Sequence, residues 1–188
     1  MVWARTRQEF NIVHVGDSDN AERSWHILHT NNGAVLLGVW YRPPAPGQIQ
    51  SIESLETEME KYCEGTVGSV LVGDMNVHER AWLKFSSGTT PEGRALHDVC
   101  IANGLEQLLK EPSRLEPDHL LDLVISDLGS AIRCKAIPGV ADHLAVLCRA
   151  SFDVPEPKAV SREVFLYSTT EWPELKRILR ETKWPVVF

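Results

Sequence analysis

The sequence predicts a mixed α/β domain that contains more β-structure than a simple doubly wound sheet. Apolar runs of strand length recur through most of the chain, and two stretches with helical periodicity lie between them. The 188 residues are 43% hydrophobic and 24% charged, which is the composition of an ordinary globular domain. A disordered or fibrous chain is therefore excluded, and no apolar run reaches the length of a membrane-spanning helix.

Three apolar runs, at residues 10–15, 25–29 and 34–41, predict the first strands. The second and third runs are separated by Asn31-Asn32-Gly33, and Asn-Gly between two β-rich runs is a strong hairpin signal. The third run ends at Arg42-Pro43-Pro44, where the prolines stop the strand because they cannot donate a ladder hydrogen bond. We therefore expect one strand followed by a β-hairpin.

The middle of the chain adds two helices and four more strands. Apolar residues fall on one helical face in residues 50–63 and 92–103, which predicts two amphipathic helices. Strand-like runs occur at residues 69–74, 120–126, 132–137 and 144–150. Alternation of these strands with helices favours the mixed α/β class.

The proline-containing stretch at residues 153–158 predicts a linker after the main domain. Beyond the linker, residues 164–167 predict a short strand, and Glu171-Trp172-Pro173 is typical of a helix start. The predicted organisation is therefore a domain over residues 1–152, followed by a linker and helix over residues 153–188.

Charge and cysteine content limit the partners and the compartment. The net charge of −7 argues against nucleic-acid affinity built on bulk positive charge, but a nuclease that gathers carboxylates around a metal ion is acidic for that reason. None of the four cysteines forms a C-x-x-C pair, so free thiols in a reducing compartment are expected. We expect an intracellular protein, nuclear or cytoplasmic, without a membrane partner.

Acidic residues mark three of the predicted strand ends. Asp74 ends the buried strand at residues 69–74 and Asn76 follows it, Asp122 interrupts an apolar strand, and Asp142-His143 directly precedes another strand. Each feature alone also has a non-functional explanation. Asp74-x-Asn76 and Asp142-His143 are also typical of surface turns, and Asp122 could be an edge-strand acid that faces water. Asp122 is the most informative, because a carboxylate in an apolar strand needs a partner if it is buried.

Taken together, the three strand ends form a template for metal-assisted phosphodiester hydrolysis. Asp122 can accept a hydrogen bond from His143, which fixes the tautomer and orientation of the imidazole. Asp74 and Asn76 can hold the attacking water, both pointing the same way if the backbone stays extended. Asp142 can hold a divalent cation.

The order of these motifs resembles the endonuclease/exonuclease/phosphatase superfamily, which includes deoxyribonuclease I. The motifs are Gly73-Asp74-Met75-Asn76, Leu121-Asp122-Leu123 and Ala141-Asp142-His143. Two further motifs, Tyr41-Arg42-Pro43-Pro44 and Pro112-Ser113-Arg114, make the sequence similar to the endonuclease domain of non-LTR retrotransposons. The resemblance implies two mixed β-sheets packed face to face and flanked by helices in a four-layer sandwich.

The resemblance also implies a role for each matching residue around the scissile phosphate. Asp74 would be the general base, Asn76 would position the phosphate, and Tyr41 would help to stabilise it. Asp142 would bind Mg²⁺ or Mn²⁺, while His143 would bind the phosphate and be oriented by Asp122. The residues expected to contact the DNA backbone are Ser113 and Arg114.

The beginning of the sequence departs from the family pattern. The family has an early strand that ends in Asn and a later one that ends in a metal-binding Glu, and both should precede the strand at residues 10–15. Glu9 precedes a strand instead of ending one, so we do not expect it to be that ligand. The expectation is a domain that lacks its first strands and part of its metal site.

Three functions remain open at this point. The first is a Mg²⁺-dependent DNA endonuclease that nicks target DNA to prime reverse transcription, with the reverse transcriptase region of the same polyprotein as a further partner. The second is an inactive remnant of such a domain. The third is a superfamily phosphatase that acts on a lipid or small phosphoester, a reading that the Tyr-Arg-Pro-Pro motif and the C-terminal region do not favour.

Overall fold

A computed structural model of the chain describes residues 12–139, 141–152 and 171–182. Glu9, the linker at residues 153–158 and the strand expected at residues 164–167 lie outside these ranges. The strands are β1 Ile12–Asp17, β2 Glu22–Thr30, β3 Gly33–Tyr41, β4 Thr66–Asp74, β5 Glu106–Gln107, β6 Asp122–Ser126, β7 Ile132–Ile137 and β8 Ala145–Ala150. The helices are α1 Gln50–Tyr62, α2 Pro91–Ala102 and α3 Trp172–Glu181, with a short 3₁₀ turn at Gly129–Ala131.

Six of the strands form one mixed sheet in the order β1-β2-β3-β4-β6-β5. Strands β3 and β4 are parallel and joined through α1, whereas all the other neighbours in this sheet are antiparallel. Strands β7 and β8 form a separate antiparallel hairpin. The predicted hairpin at Asn31-Asn32-Gly33 is confirmed, because β2 and β3 pair in register up to Thr30 and Gly33.

The main hydrophobic core joins the six-stranded sheet to α1 and α2. Ile52 and Leu55 of α1 and Leu96 of α2 are fully buried together with sheet residues such as Leu36 and Ile125. Burying a side chain of this kind contributes about 1.5–3 kcal/mol to folding. No helix in the described ranges is both long and apolar enough to span a membrane.

A second stabilising feature is a buried ion pair between β2 and α1. Arg23 Nε donates to Glu58 at 2.9 Å, its two other nitrogens donate to the Ser51 carbonyl and the Ser54 hydroxyl, and Trp25 Nε1 donates to Glu58 at 2.8 Å. Burial opposes ionisation of Glu58, but hydrogen bonds led by that from Arg23 outweigh it and keep the pKa of this carboxyl below its ordinary value. This group is called the Arg23 network below.

Strand β4 approaches β3 most closely just before it ends. A Cβ on Gly73 would lie 1.7 Å from the Trp40 carbonyl oxygen, and the residue has a φ of +150°. Only glycine fits that space without a backbone shift. Gly73 therefore allows the end of β4, where Asp74 lies, to come next to the end of β3.

Candidate active site

Predicted site residues from separate parts of the chain meet at one edge of the six-stranded sheet. Asp74 is the last residue of β4 and pairs in register with Asp122, the first residue of β6. Because β4 and β6 are antiparallel, the end of one strand lies beside the start of the other. Tyr41 ends the neighbouring strand β3 at the same edge.

The segment that follows β4 is fixed from both sides, and we call residues 74–78 the site loop. The Arg42 backbone N–H donates to the Asp74 carbonyl at 2.8 Å, and the Met75 N–H donates to the Leu121 carbonyl at 2.9 Å. Met75 and Val77 are fully buried and anchor the site loop in the core. The backbone does not stay extended through Asn76, which has a left-handed φ of +45°.

Asp122 and His143 form the hydrogen-bonded pair that the sequence predicts. The His143 Nδ1 and Asp122 Oδ2 atoms are 2.7 Å apart, and both side chains are partly buried. With the Asp122 carboxylate as the acceptor, Nδ1 of His143 carries a proton, and Nε2 is the nitrogen that remains for a substrate. The arrangement therefore fixes which nitrogen of the imidazole is available for chemistry.

Ser113 connects Asp122 with the segment that carries His143. Its hydroxyl accepts hydrogen bonds from the backbone N–H groups of Leu121 and Asp122 at 3.0 and 2.9 Å, and its carbonyl accepts one from Leu144 at 2.6 Å. The side chain is fully buried. The structure therefore does not place this hydroxyl where it could contact DNA, and we correct its expected role from substrate binding to holding the Asp122–His143 pair together.

Arg114 and Asp142 form an ion pair at the rim of the site. Arg114 Nη2 lies 2.9 Å from Asp142 Oδ2, and the Asp142 side chain is 62% exposed. The backbone of Arg114 also bridges to both His119 and His143. Asp142 is thus adjacent to the Asp122–His143 pair along the chain, but its carboxylate is bound to Arg114.

Asp74 is a carboxylate whose ionisation its surroundings disfavour. Burial raises the pKa of the Asp74 carboxyl above its ordinary value, and the negative charge of Asp122 raises it further, against opposing effects of Asn76 and His143. Its Oδ1 atom is buried without a hydrogen-bond partner in the described residues. A carboxylate with a raised pKa is a stronger base, and acids whose pKa is shifted by burial and a neighbouring charge are found often at functional sites.

The described residues do not complete a metal site on their own. Within them, no three His, Cys, Asp or Glu side chains are grouped so that they could hold a metal ion. Asp74 Oδ1 is a hard oxygen without a partner, which suits Mg²⁺, but Asp142 is engaged with Arg114. The donors present therefore do not fit a complete site for the ion.

Tyr41 lies at the edge of the site but outside its hydrogen-bonded centre. Its side chain is 45% exposed and lines a cleft of about 420 Å³ together with Glu22, Pro43 and Gln48. The cleft opens beside the end of β3 and does not include Asp74, Asp122 or His143. The structure thus brings Asp74, Asn76, Asp122 and His143 into one site and places Tyr41 beside it.

An apolar cavity of about 560 Å³ lies between the six-stranded sheet and the β7–β8 hairpin. Among the described residues, Asp122 is the one charged residue in its lining, which otherwise consists mainly of side chains such as Val72, Val124 and Val146. Apolar walls do not suit a phosphate, so we do not assign substrate to this cavity.

Two residues that support the site were not identified from the sequence as supporting residues. Arg42 looks like a surface cation beside prolines, yet it is only 2% exposed and lies under the site loop. Its partner Glu92, 3.6 Å away, comes from the first turn of α2. The sequence signal at Thr90-Pro91-Glu92 is that of a helix start, and nothing in it shows that Glu92 turns inward.

Comparison with known proteins places this arrangement in a family. Residues 35–147 match the family described as endonuclease-reverse transcriptase. No curated protein sequence matches the chain. The fold is similar to the endonuclease domain of TRAS1, a telomere-specific non-LTR retrotransposon, with a TM-score of 0.65 and 15% identity over 78% of this chain and 70% of that one.

A second similar structure is the human nocturnin catalytic domain with bound sulfate, with a TM-score of 0.50 and 12% identity. The match covers 78% of this chain and 61% of the nocturnin domain. At these identities the likeness shows the fold, and it confirms the predicted α/β class with a mixed sheet, a second sheet and helices. Because the family match spans more than half of the residues, the chain belongs to the endonuclease-reverse transcriptase family of the endonuclease/exonuclease/phosphatase superfamily.

Proposed function

We propose that this chain is a DNA endonuclease of the non-LTR retrotransposon type, which hydrolyses a phosphodiester bond in a target duplex. The observation that carries the proposal is the Asp122–His143 pair, at 2.7 Å, beside a carboxylate of raised pKa at the same sheet edge. Two acids and an oriented imidazole meet the needs of a reaction that moves a proton from water while charge develops on a phosphate.

Asp74 is the residue that we assign to activation of the attacking water. Its raised pKa makes it a better proton acceptor than an exposed aspartate, and the residue is only partly buried, so its carboxylate is assigned to accepting a proton from the water. Asn76 lies two residues further along the site loop and is assigned to orienting the scissile phosphate. The buried neighbours Met75 and Val77 keep both residues in place, so little reorganisation is needed when substrate binds.

His143 is the residue that we assign to the phosphate. Because Nδ1 is bound to Asp122, a protonated His143 presents its Nε2–H to a non-bridging oxygen, where negative charge increases in the transition state. Asp122 stabilises that imidazolium and prevents the ring from turning. Arg114, next to the pair, is assigned to the neighbouring DNA phosphate, and substrate would then compete with Asp142 for its guanidinium.

Dependence on Mg²⁺ or Mn²⁺ belongs to the proposal because it is implied by the family. Asp142 is the residue assigned to the ion, although the described residues do not complete a site for it. No step above is therefore assigned to a metal. The nick would supply a primer to the reverse transcriptase region of the same polyprotein, and we expect the protein in the nucleus or cytoplasm.

A second candidate function is that of a non-catalytic remnant that at most binds nucleic acid weakly. The observation that favours it is the ion pair between Arg114 and Asp142, together with the incomplete set of metal donors in the part of the chain that the structure describes. The two candidates differ in turnover, so a single cleavage assay separates them.

The test is nicking of supercoiled plasmid by the purified chain in the presence of Mg²⁺, with EDTA as the metal control. We expect nicking by the native chain, and a rate lower by roughly 10²–10³-fold for His143→Ala, the range typical of losing one donor to the charge that develops in the transition state. Asp122→Asn should reduce the rate as well, because its amide cannot stabilise an imidazolium. A folded native chain that does not nick DNA would overturn the proposal in favour of the remnant.

A further inference from the structure

We infer that Arg42 and Glu92 are positioning residues, which hold Asn76 and the site loop in the conformation that the reaction requires. The inference rests on the proposed function, since it assigns the loop to chemistry. The role inferred for Arg42 differs from direct binding of a DNA phosphate, which is the usual role of an arginine beside the active site of a nuclease.

Three hydrogen bonds join Arg42 to the site loop. Its backbone N–H donates to the Asp74 carbonyl at 2.8 Å, and its Nη1 donates to the Asn76 carbonyl at 3.3 Å. In return, Asn76 Nδ2 donates to the Arg42 carbonyl at 3.0 Å. The backbone and the side chain of Asn76 are therefore both bound to the same residue.

Asn76 needs this support because of its backbone conformation. Its φ of +45° lies in the left-handed region, which asparagine tolerates better than most residues but which still favours glycine. Such a conformation persists only where the surroundings over-determine it, and it is found disproportionately at functional sites. Arg42 supplies contacts on two sides of Asn76, so it is the residue best placed to maintain that conformation.

Glu92 in turn keeps the Arg42 guanidinium in place. Arg42 Nη2 lies 3.6 Å from Glu92 Oε1, and the same oxygen accepts a hydrogen bond from the Gly47 N–H at 2.6 Å. Burial lowers the pKa of the Arg42 guanidinium, and the negative charge of Glu92 opposes this effect. Glu92 is therefore the counter-charge that permits an ionised arginine to lie beneath the site.

The helix that carries Glu92 also holds the far end of the site loop. Thr90 donates from its N–H and its hydroxyl to the His78 carbonyl at 2.8 and 3.2 Å. A Cβ on Gly93 would lie 2.1 Å from the same carbonyl oxygen, so only glycine allows the helix to come this close. Arg42 thus holds the beginning of the site loop and the start of α2 holds its end at His78, while the Arg42–Glu92 contact links these two supports.

The experiment compares Arg42→Lys and Glu92→Gln with Arg23→Lys, in steady-state cleavage of a duplex oligonucleotide. Arg23 is the matched control, because it is also buried and also pairs with a glutamate, but lies in the Arg23 network and does not touch the site loop. For both test variants we expect kcat to fall by on the order of 10- to 100-fold, the effect of a misplaced catalytic group, with KM for DNA unchanged. Arg23→Lys should retain the kcat of the native chain per folded molecule.

A second measurement does not depend on activity. The side-chain amide of Asn76 gives its own ¹⁵N–¹H NMR signals, which should move in Arg42→Lys and Glu92→Gln and stay in place in Arg23→Lys. If Arg42→Lys does not fold, Glu92→Gln provides the same test, because it keeps the shape of the side chain.

Two results would overturn the inference. A rise in KM for DNA with kcat unchanged would show that Arg42 contacts the substrate directly, and unchanged Asn76 signals in a folded variant would show that the loop does not depend on the pair. If the native chain does not cleave DNA, the proposed function is wrong, and the NMR result then decides the inference alone.

Discussion

Arg23 and Arg42 are both buried beside the six-stranded sheet, but their guanidinium groups are satisfied to different degrees. Arg23 uses all three of its nitrogens in hydrogen bonds of 2.8–2.9 Å, to Glu58, the Ser51 carbonyl and Ser54. Arg42 makes polar contacts of 3.3–3.6 Å, and its Nε has no partner among the described residues. The better-satisfied group lies in the core, and the other lies under the site loop.

The ionisation of nearby groups follows the same division. Hydrogen bonds from Arg23 and its neighbours favour the charged form of Glu58, so the pKa of that carboxyl is lowered. At the site, burial lowers the pKa of Arg42 and raises that of Asp74, so in both groups the charged form is disfavoured. The comparison teaches that the core is built for stability, whereas the sheet edge holds charges at an energetic disadvantage, as expected of a functional site.

Replacement of Arg23 by Met should give the largest loss of stability in the molecule. The change leaves Glu58 without its main partner, and removing one member of a buried ion pair typically destabilises a protein by about 3–5 kcal/mol. Denaturant unfolding measures the effect. Arg42→Met should lower the free energy of unfolding by less, because the hydrogen bonds of the Arg42 guanidinium are longer. An equal decrease in the two variants would contradict the contrast between the two arginines.

Replacement of Ser113 by Ala should have an intermediate effect on stability and a specific effect on activity. Two buried N–H groups lose their acceptor, at a cost of about 1–3 kcal/mol. The matched control is Ser126→Ala, since Ser126 is equally buried and its hydroxyl bonds to the Ser69 carbonyl and the Leu128 N–H, at the other end of β6. We expect similar losses of stability by thermal unfolding, but a reduced nicking rate per folded molecule only for Ser113→Ala.

Replacement of Asp74 by Asn should have the smallest effect on stability, and a favourable one. The folded-state pKa of Asp74 is raised, so the native chain loses stability as the pH rises from the ordinary aspartate pKa through the folded value. The Asn side chain of Asp74→Asn does not ionise, so the stability of this variant does not decrease for that reason as the pH rises. Its free energy of unfolding should exceed that of the native chain near pH 7, and the difference should vanish near pH 3, at about or below the ordinary pKa.

Urea unfolding at a series of pH values measures this difference. A variant that is less stable than the native chain at neutral pH would show that the Asp74 carboxylate contributes favourably to the fold. The same variant should not nick DNA if Asp74 activates the water, so activity and stability are expected to change in opposite directions.

The sequence was sufficient to predict the parts of the site that follow from strand patterns. Asp74 ends an apolar strand and Asp122 interrupts another, and a buried carboxylate in an apolar strand needs a partner, for which His143 was the candidate. The hairpin at Asn31-Asn32-Gly33 was predictable for a similar reason, because its turn chemistry is local. The hairpin could be predicted from residues next to each other in the chain, and the Asp122–His143 pair from the need of a buried carboxylate for a partner.

The supporting residues could not be predicted, because their partners are distant in the chain or are backbone groups. Ser113 was expected to contact DNA, but its hydroxyl binds two backbone N–H groups. Residue identity does not reveal such partners, because almost every residue has a backbone N–H. Burial of Arg42 depends on Glu92, which lies beyond α1 and β4 along the chain. Strand β5 has only two residues, too few to show a periodicity.

The position of Ser113 has a consequence for the order in which the site is assembled during synthesis. Its hydroxyl accepts a hydrogen bond from the Asp122 N–H, and its carbonyl accepts one from the Leu144 N–H. The Asp122–His143 pair therefore cannot form with this support until the chain has been synthesised through Leu144. Domains generally fold as units as they leave the ribosome. A chain whose translation stops within β7 would contain Asp74 and Asp122 but no oriented imidazole, so on the proposed function an interrupted product would lack the group assigned to the phosphate.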